Sequence, residues 1–225
     1  MSGAAMDEPV TPPPGYFAGF PFDSAPLALA PIQTERLILR PLAESDIDDV
    51  WQYQRIDEVL RYIPWPKRDF EAAAAHTTRR AALHTLDADG SAIFLACVLA
   101  PSPDAGNNAG RVIGDVMLRL SSVETAELEI GWVFHPDFHG RGYATEAAAA
   151  MQRLAFDGIG AHRLVAHLDP RNEASARVCA KLGLAHEGTL RESFYDKGEW
   201  SDAGLYAMIA RDWRALEDTP APHTP

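Results

Sequence analysis

Glu129-Ile130-Gly131-Trp132-Val133-Phe134-His135-Pro136-Asp137-Phe138-His139-Gly140-Arg141-Gly142-Tyr143-Ala144-Thr145-Glu146 is the stretch whose reading decides the fold. A strand runs into a glycine-bearing turn, and a helix leaves it over about 143–157. Along that helix Ala144, Ala147, Ala148, Met151, Leu154 and Ala155 recur at spacings of three and four, which makes one apolar face for packing on a sheet. Small side chains there allow close approach. At such a helix start several backbone N–H groups lack internal partners and the macrodipole is positive, so a phosphate fits. Gly140 and Gly142 let the backbone come near it, and Arg141 either adds charge or is a solvated loop residue. Taken alone, a Gly-x-Gly turn describes a structural turn or a dinucleotide loop equally well.

Outward from this stretch, strands are expected at 36–40, 93–100, 111–120, 126–134, 162–168, 184–194 and 202–210, with helices at 45–54, 69–86, 143–157 and 173–182. Ser45 and Asp48 form a capping-box-like start for the first helix. The Pro, Asp, Gly and Asn-rich segment 101–110 joins two strands as a long hairpin loop. Adjacent strands in the first half and strand–helix alternation in the second predict an α/β fold: a mixed sheet of six or seven strands with helices on both faces. Prolines from Pro12 to Pro31 make residues 1–31 an extended arm. Its aromatics Tyr16, Phe17, Phe20 and Phe22 suit docking on the domain or on a second copy of the chain, a possible homodimer. Residues 32–215 form the domain and 216–225 a frayed tail.

The chain of 225 residues is 47% hydrophobic and 23% charged, the balance of an ordinary globular domain. A formal charge of −12 removes the generic electrostatic reason to expect nucleic acid. No basic region followed by an apolar core opens the sequence, and no stretch offers the roughly 20 apolar residues a membrane span needs, which points to a cytoplasmic protein without a membrane partner. Cys97 and Cys179 are too few and too distant for a disulfide framework or zinc cluster, so no metal site is expected.

The ordered motifs Thr34-Glu35-Arg36-Leu37-Ile38-Leu39-Arg40-Pro41, Glu129 to Glu146, Asn172-Glu173-Ala174-Ser175, Lys181-Leu182-Gly183-Leu184 and Gly198-Glu199-Trp200 resemble the GCN5-related N-acetyltransferases, most closely the branch that acetylates N-termini of ribosomal proteins. The resemblance spans about 34–213. It implies acetyl-CoA or another acyl-CoA as cosubstrate and a primary amine, on a small molecule or a protein N-terminus, as acceptor. It also implies a pyrophosphate on His139, Gly140, Arg141, Gly142, Tyr143 and Ala144. The family's loop has Gln or Arg where this chain has His139. The strand before the loop is expected to splay from the next, so that Trp132, Val133 and Phe134 offer free backbone groups to the pantetheine arm and one N–H to the thioester carbonyl. Asn172 and Ser175 belong to the second cofactor helix, with Ser175 near the sulfur. Where many members carry a tyrosine seven residues after that Asn, this chain has Cys179.

An amine must lose a proton before it attacks, and a positioned carboxylate can take it. Glu129, between apolar Leu128 and Ile130, is the expected base, with Glu127 as second choice on the same face. Asn172 also reads as a helix cap and Ser175 as its first turn. Ala174, Val178 and Leu182 form the expected packing stripe of that helix, with Cys179 beside it. The histidines read as surface or loop groups, and Trp65, Tyr195 and Trp200 either line the acceptor pocket or, the favoured reading, pack as strand or core aromatics. With no nucleophile motif, direct transfer with both substrates bound is expected; the rival is a catalytically silent CoA-binding module.

Overall fold

The computed structural model describes residues 19–102 and 105–217; Tyr16, Phe17 and residues 218–225 lie outside the described residues. In chain order the strands are β1 (Phe22–Asp23), β2 (Ile32–Gln33), β3 (Leu37–Pro41), β4 (Thr85–Leu86), β5 (Ala92–Leu99), β6 (Val112–Ser122), β7 (Glu127–Phe134), β8 (Arg163–Leu168), β9 (Ala185–Asp196) and β10 (Glu199–Ile209). The helices are α1 (Ile47–Gln54), α2 (Asp57–Leu60), α3 (Phe70–Ala81), α4 (Tyr143–Arg153), α5 (Glu173–Lys181) and α6 (Ala210–Glu217). One eight-stranded sheet runs in the order β2-β3-β5-β6-β7-β8-β10-β9, and β1 with β4 forms a separate pair. The eighth strand beyond the expected seven is β2, whose two residues are too short to carry a period-two pattern. Neighbours in the large sheet are antiparallel except β7 and β8, whose parallel pairing requires the crossover through α4.

Two apolar layers follow from the strand alternation. Leu128, Ile130 and Phe134 of β7 join Ala147, Ala148, Met151 and Ala155 of the α4 segment, Cys179 of α5 and Trp213 of α6 in the larger cluster. On the other face Val50 and Tyr53 of α1 and Ala81 of α3 cover Ala96, Val98 and Val112. A polar pair is sealed beneath that second layer: the Arg80 Nη1 lies 2.7 Å from Asp115 Oδ1, and the Tyr53 hydroxyl donates to Asp115 Oδ2. Both charged side chains are at most 5% exposed, so removing one partner of such a pair costs about 3–5 kcal/mol.

Several boundaries differ from the sequence expectations for tertiary reasons. Helix α3 stops at Ala81 rather than 86, because Thr85 and Leu86 pair instead with Phe22 and Asp23. The helical run from α4 continues past Arg153 as a π-helical turn over Leu154–Ile159, where Phe156 stacks on Trp213 and Asp157 accepts from the Trp213 indole. Asp46, not Asp48, accepts from the Ala43 N–H ahead of α1, and it also takes a two-pronged pair from Arg40. Within the N-terminal segment, Phe20 and Phe22 pack on the larger core and Ser24 is fully buried. Among the described residues no helix is long and apolar enough to cross a membrane.

One clamp fixes α4 against the start of β3. Glu146, in the first turn of α4, accepts from the Thr34 hydroxyl at 2.6 Å, the Arg36 N–H at 2.7 Å and Arg36 Nε at 2.7 Å. Arg36 also donates to the Arg141 carbonyl and lies over the Tyr143 ring. Burial opposes the charge on Glu146, but the hydrogen bonds from Thr34 and Arg36 outweigh it and hold the carboxyl below its usual range. The stabilisation is therefore present above the unfolded carboxyl value of about 4.3 and is lost as pH falls through the folded value. Denaturant unfolding between about pH 6 and about pH 3 should show the parent losing stability more steeply than Glu146→Gln, which is the less stable protein near neutrality. Parallel curves for the two would refute the clamp.

Candidate active site

β7 ends at Phe134, Pro136–Phe138 makes a single turn, and the chain reaches α4 through Gly140 at φ 72 and Gly142 at φ 85. Side chains rarely tolerate that left-handed region, and a Cβ on Gly142 would also lie 3.3 Å from Arg36 Nη2. Gly142 is the N-cap of α4 and its carbonyl accepts from Glu146. Among the described residues the N–H groups of Gly140, Arg141, Gly142, Tyr143, Ala144 and Thr145 donate to no protein acceptor. They form an anion cradle at a helix N-terminus. Tyr143 contributes only its backbone there, since its ring is buried in the core. His139 Nε2 bonds the Phe134 carbonyl at 2.9 Å, so this side chain braces the turn while the loop's N–H groups remain free for a ligand.

The register of β7 on β8 runs Glu127↔Arg163, Leu128↔Leu164, Glu129↔Val165 and stops. Beyond it Ile130 to Phe134 stay paired with β6, whereas Ala166 to Leu168 stay paired with β10. The two central strands thus diverge, and the β8-facing edge of Trp132, Val133 and Phe134 has no strand partner. On the opposite edge β7 sits close against β6: a Cβ on Gly114 would fall 2.5 Å from both the Phe134 ring and the Val133 carbonyl. The opening between the two strands runs from the free N–H groups of the loop back toward Glu129. An extended ligand with amide groups and a pyrophosphate end fits these unpaired groups.

Glu129 lies on the face opposite α4, its side chain 20% exposed, between Arg119 at 3.6 Å and His167 Nδ1 at 3.4 Å. Burial works against its charge, but the His167 hydrogen bond and the Arg119 and His167 charges hold the carboxyl below its usual range. His167 is correspondingly raised, chiefly by its bond to Glu129. This histidine is at the surface, as the sequence suggested, and it stands on a strand beside the expected base, which the sequence did not. Period-two alternation along β8 could have found it, because Val165 opposes Glu129 and His167 follows on the same face. Glu127 is engaged by Arg163, which also binds Glu187, and so is held in an ion-pair network.

On the α4 face Asn172 Oδ1 accepts from the Ser175 N–H, capping α5 as expected, and the Trp132 indole donates to the Ser175 hydroxyl at 3.3 Å. That bond sets Ser175 beside the free edge of β7. The packing stripe of α5 holds at Val178 and Leu182, with Cys179 beside them fully buried and its thiol pushed up to about 12 by desolvation, but Ala174, expected in the stripe, is exposed. Helix phase against the sheet, which spacing alone does not give, decides this.

The far side of the cleft is closed by contacts with no motif. Arg171 bridges Asp169 and Glu199 and faces the Tyr62 ring. Lys197, at the β9–β10 turn, donates to the Leu60 and Ile63 carbonyls. Tyr195 and Trp200 do not pack into the core: they are 62% and 60% exposed and contact each other edge-on, because this hairpin extends beyond the end of β8. Trp65 is half-buried against His76.

Comparison with known proteins places the fold and the family. The acetyltransferase (GNAT) domain family matches residues 36–185. The chain is 29% identical to an uncharacterized N-acetyltransferase, YnaD, of Bacillus subtilis over 81% of its own length and 98% of that protein's. It is 26% identical to the spermidine N(1)-acetyltransferase of Escherichia coli, over 81% and 90%. A crystal structure of a GNAT-family acetyltransferase from Bacillus anthracis superposes with a TM-score of 0.68 at 28% identity, covering 80% of this chain and 98% of that one. With the family match extending over more than half of its residues, the chain belongs to the GNAT acetyltransferase family and is an N-acetyltransferase.

Proposed function

We propose that the chain moves an acyl group, acetyl by preference, from acyl-CoA to a primary amine by direct attack with both substrates bound. What carries this reading is the continuity of two unpaired sets of backbone groups, the Gly140 to Thr145 N–H cradle and the Ile130 to Phe134 edge, which leads to the Glu129 carboxylate. In this reading the cradle holds the CoA pyrophosphate and the free edge pairs with the pantetheine amides. One N–H among Trp132, Val133 and Phe134 faces the negative charge that develops on the thioester oxygen, an effect worth a few kcal/mol. Glu129, ionised near neutrality, takes the amine proton directly or through water, and His167 orients it. Ser175, held by the Trp132 indole, donates its hydroxyl hydrogen to the departing sulfur. Cys179 is a packing thiol. For the acceptor, the spermidine-acetylating relative supports a small polyamine as the first amine to try.

Four variants test this reading. Gly142→Val places a branched side chain at φ 85 and against Arg36, so calorimetry should show CoA affinity falling at least about tenfold, with the fold retained by circular dichroism. Unchanged affinity would remove the pyrophosphate from this loop.

Glu129→Gln should keep CoA affinity and lower kcat by about 10²-fold or more. A rate and pH profile equal to the parent's would move the base elsewhere.

Ser175→Ala should slow turnover by about tenfold, the scale of one hydrogen bond, while Cys179→Ala leaves turnover near the parent's. Selective loss in Cys179→Ala would reverse the assignment, and full activity in both would make water the donor.

A further inference from the structure

A second concavity, of about 660 Å³, opens between the C-terminal end of α1, the segment 105–111 and the turn that precedes α4. Its wall carries Arg55, Arg111, Arg141 and His135. Elsewhere five arginines of this chain are closely matched to carboxylates: Arg36 to Glu146, Arg40 to Asp46, Arg80 to Asp115, Arg163 to Glu127 and Glu187, Arg171 to Asp169 and Glu199. Around this cavity the matching is incomplete, with Arg111 alone of the three arginines meeting a carboxylate. Arg55 donates only to Gln52 Oε1, at 3.1 Å, and the Arg141 guanidinium rests near the Phe138 ring. Arg111 donates to Asn108 Oδ1 at 3.0 Å and pairs with Asp49 Oδ1 at 3.5 Å, while the other oxygen of that carboxylate accepts from the Val112 N–H.

The carboxylate on the wall is Asp137, which is 82% exposed and 3.8 Å from His135 Nδ1. His135 Nδ1 accepts from the Asp137 N–H, so the ring's proton sits on Nε2, one more donor in the wall. Burial, and then Arg111, His139 and Arg55, press the His135 pKa down against the pull of Asp137, as a net positive surrounding would. Three guanidinium groups with one carboxylate partner among them leave this wall locally positive in a chain of formal charge −12. Guanidinium forks match phosphate oxygens in pairs, and the volume admits more than a bare ion.

We propose that this cavity is a subsite for a phosphate group, continuous with the phosphate loop through Arg141. The phosphate comes either from the ribose of CoA itself, which rests on the acyl-CoA reading above, or from a separate phosphate-bearing ligand, which does not. The full chain is titrated calorimetrically with CoA, with dephospho-CoA, which lacks only the ribose phosphate, and with inorganic phosphate in the presence of saturating CoA. The same titrations are run on Arg55→Gln and on Arg55→Gln/Arg111→Gln, each checked for an unchanged melting transition.

If the ribose phosphate sits here, the parent prefers CoA over dephospho-CoA by about tenfold or more and the double variant loses the preference. If the ligand is separate, the parent binds CoA and dephospho-CoA alike, and inorganic phosphate binds the CoA-saturated parent but not the double variant. Affinities for all three probes that are the same in parent and variants overturn the proposal, as does a parent that shows neither phosphate effect. Should the double variant fail to fold, Arg55→Gln at its exposed position carries the same comparison. A parent that binds no CoA sinks the acyl-CoA reading instead, and phosphate titrated into the unliganded chain then decides the subsite.

Discussion

Parallel strands share hydrogen bonds only as long as they run side by side, and here β7 and β8 part company after Glu129↔Val165. Each strand keeps its outer neighbour, so the sheet survives the divergence while a row of backbone groups is left without a strand partner at its centre. Buried backbone groups left unpaired are costly, so such an edge persists in a folded protein where a ligand or water satisfies it. The crossover through α4 places a second set of unpaired groups, the helix N-terminal N–H donors, at the end of the same strand. Strand divergence and helix start are therefore one feature: the chain has to leave β7, turn, and come back parallel.

Charge placement around this opening follows from that geometry. A carboxylate in the first turn of α4 would by itself favour the helix but repel an anion approaching the same N-terminus. Arg36 covers Glu146 and simultaneously holds the Arg141 carbonyl, so the carboxylate anchors the loop while its charge is matched. On the opposite face the buried Arg80–Asp115 pair with Tyr53 ties α1 and α3 to β6, one strand away from Glu129. Glu129 in turn is held ionised by Arg119 and His167, not by solvent.

The glycine pattern and the helix stripe of 140–155 were legible because each rests on local chemistry: positive φ at glycine and a spacing of three and four. The Asn172 cap was legible for the same reason. What escaped were partnerships across long sequence distances. Thr34 and Arg36 stand more than a hundred residues from Glu146, and nothing in their local pattern says that a carboxylate will meet them. His167 met Glu129 across a strand pair whose register was unknown, and Tyr195 and Trp200 stayed exposed because their hairpin projects beyond its neighbour.

By itself, then, the sequence determined the order of elements, the glycine turn that opens α4, the mixed α/β sheet and the family, since these depend on dihedral preference, apolar period and motif order. Tertiary structure alone decided where β7 leaves β8, that Glu129 meets Arg119 and His167 while Glu127 is held by Arg163, that Ala174 faces outward, and that three arginines converge on one cavity. Those outcomes depend on strand register and helix phase. A shift of one residue in a strand or about 100° in a helix reverses which groups meet, and only long-range packing selects among such shifts.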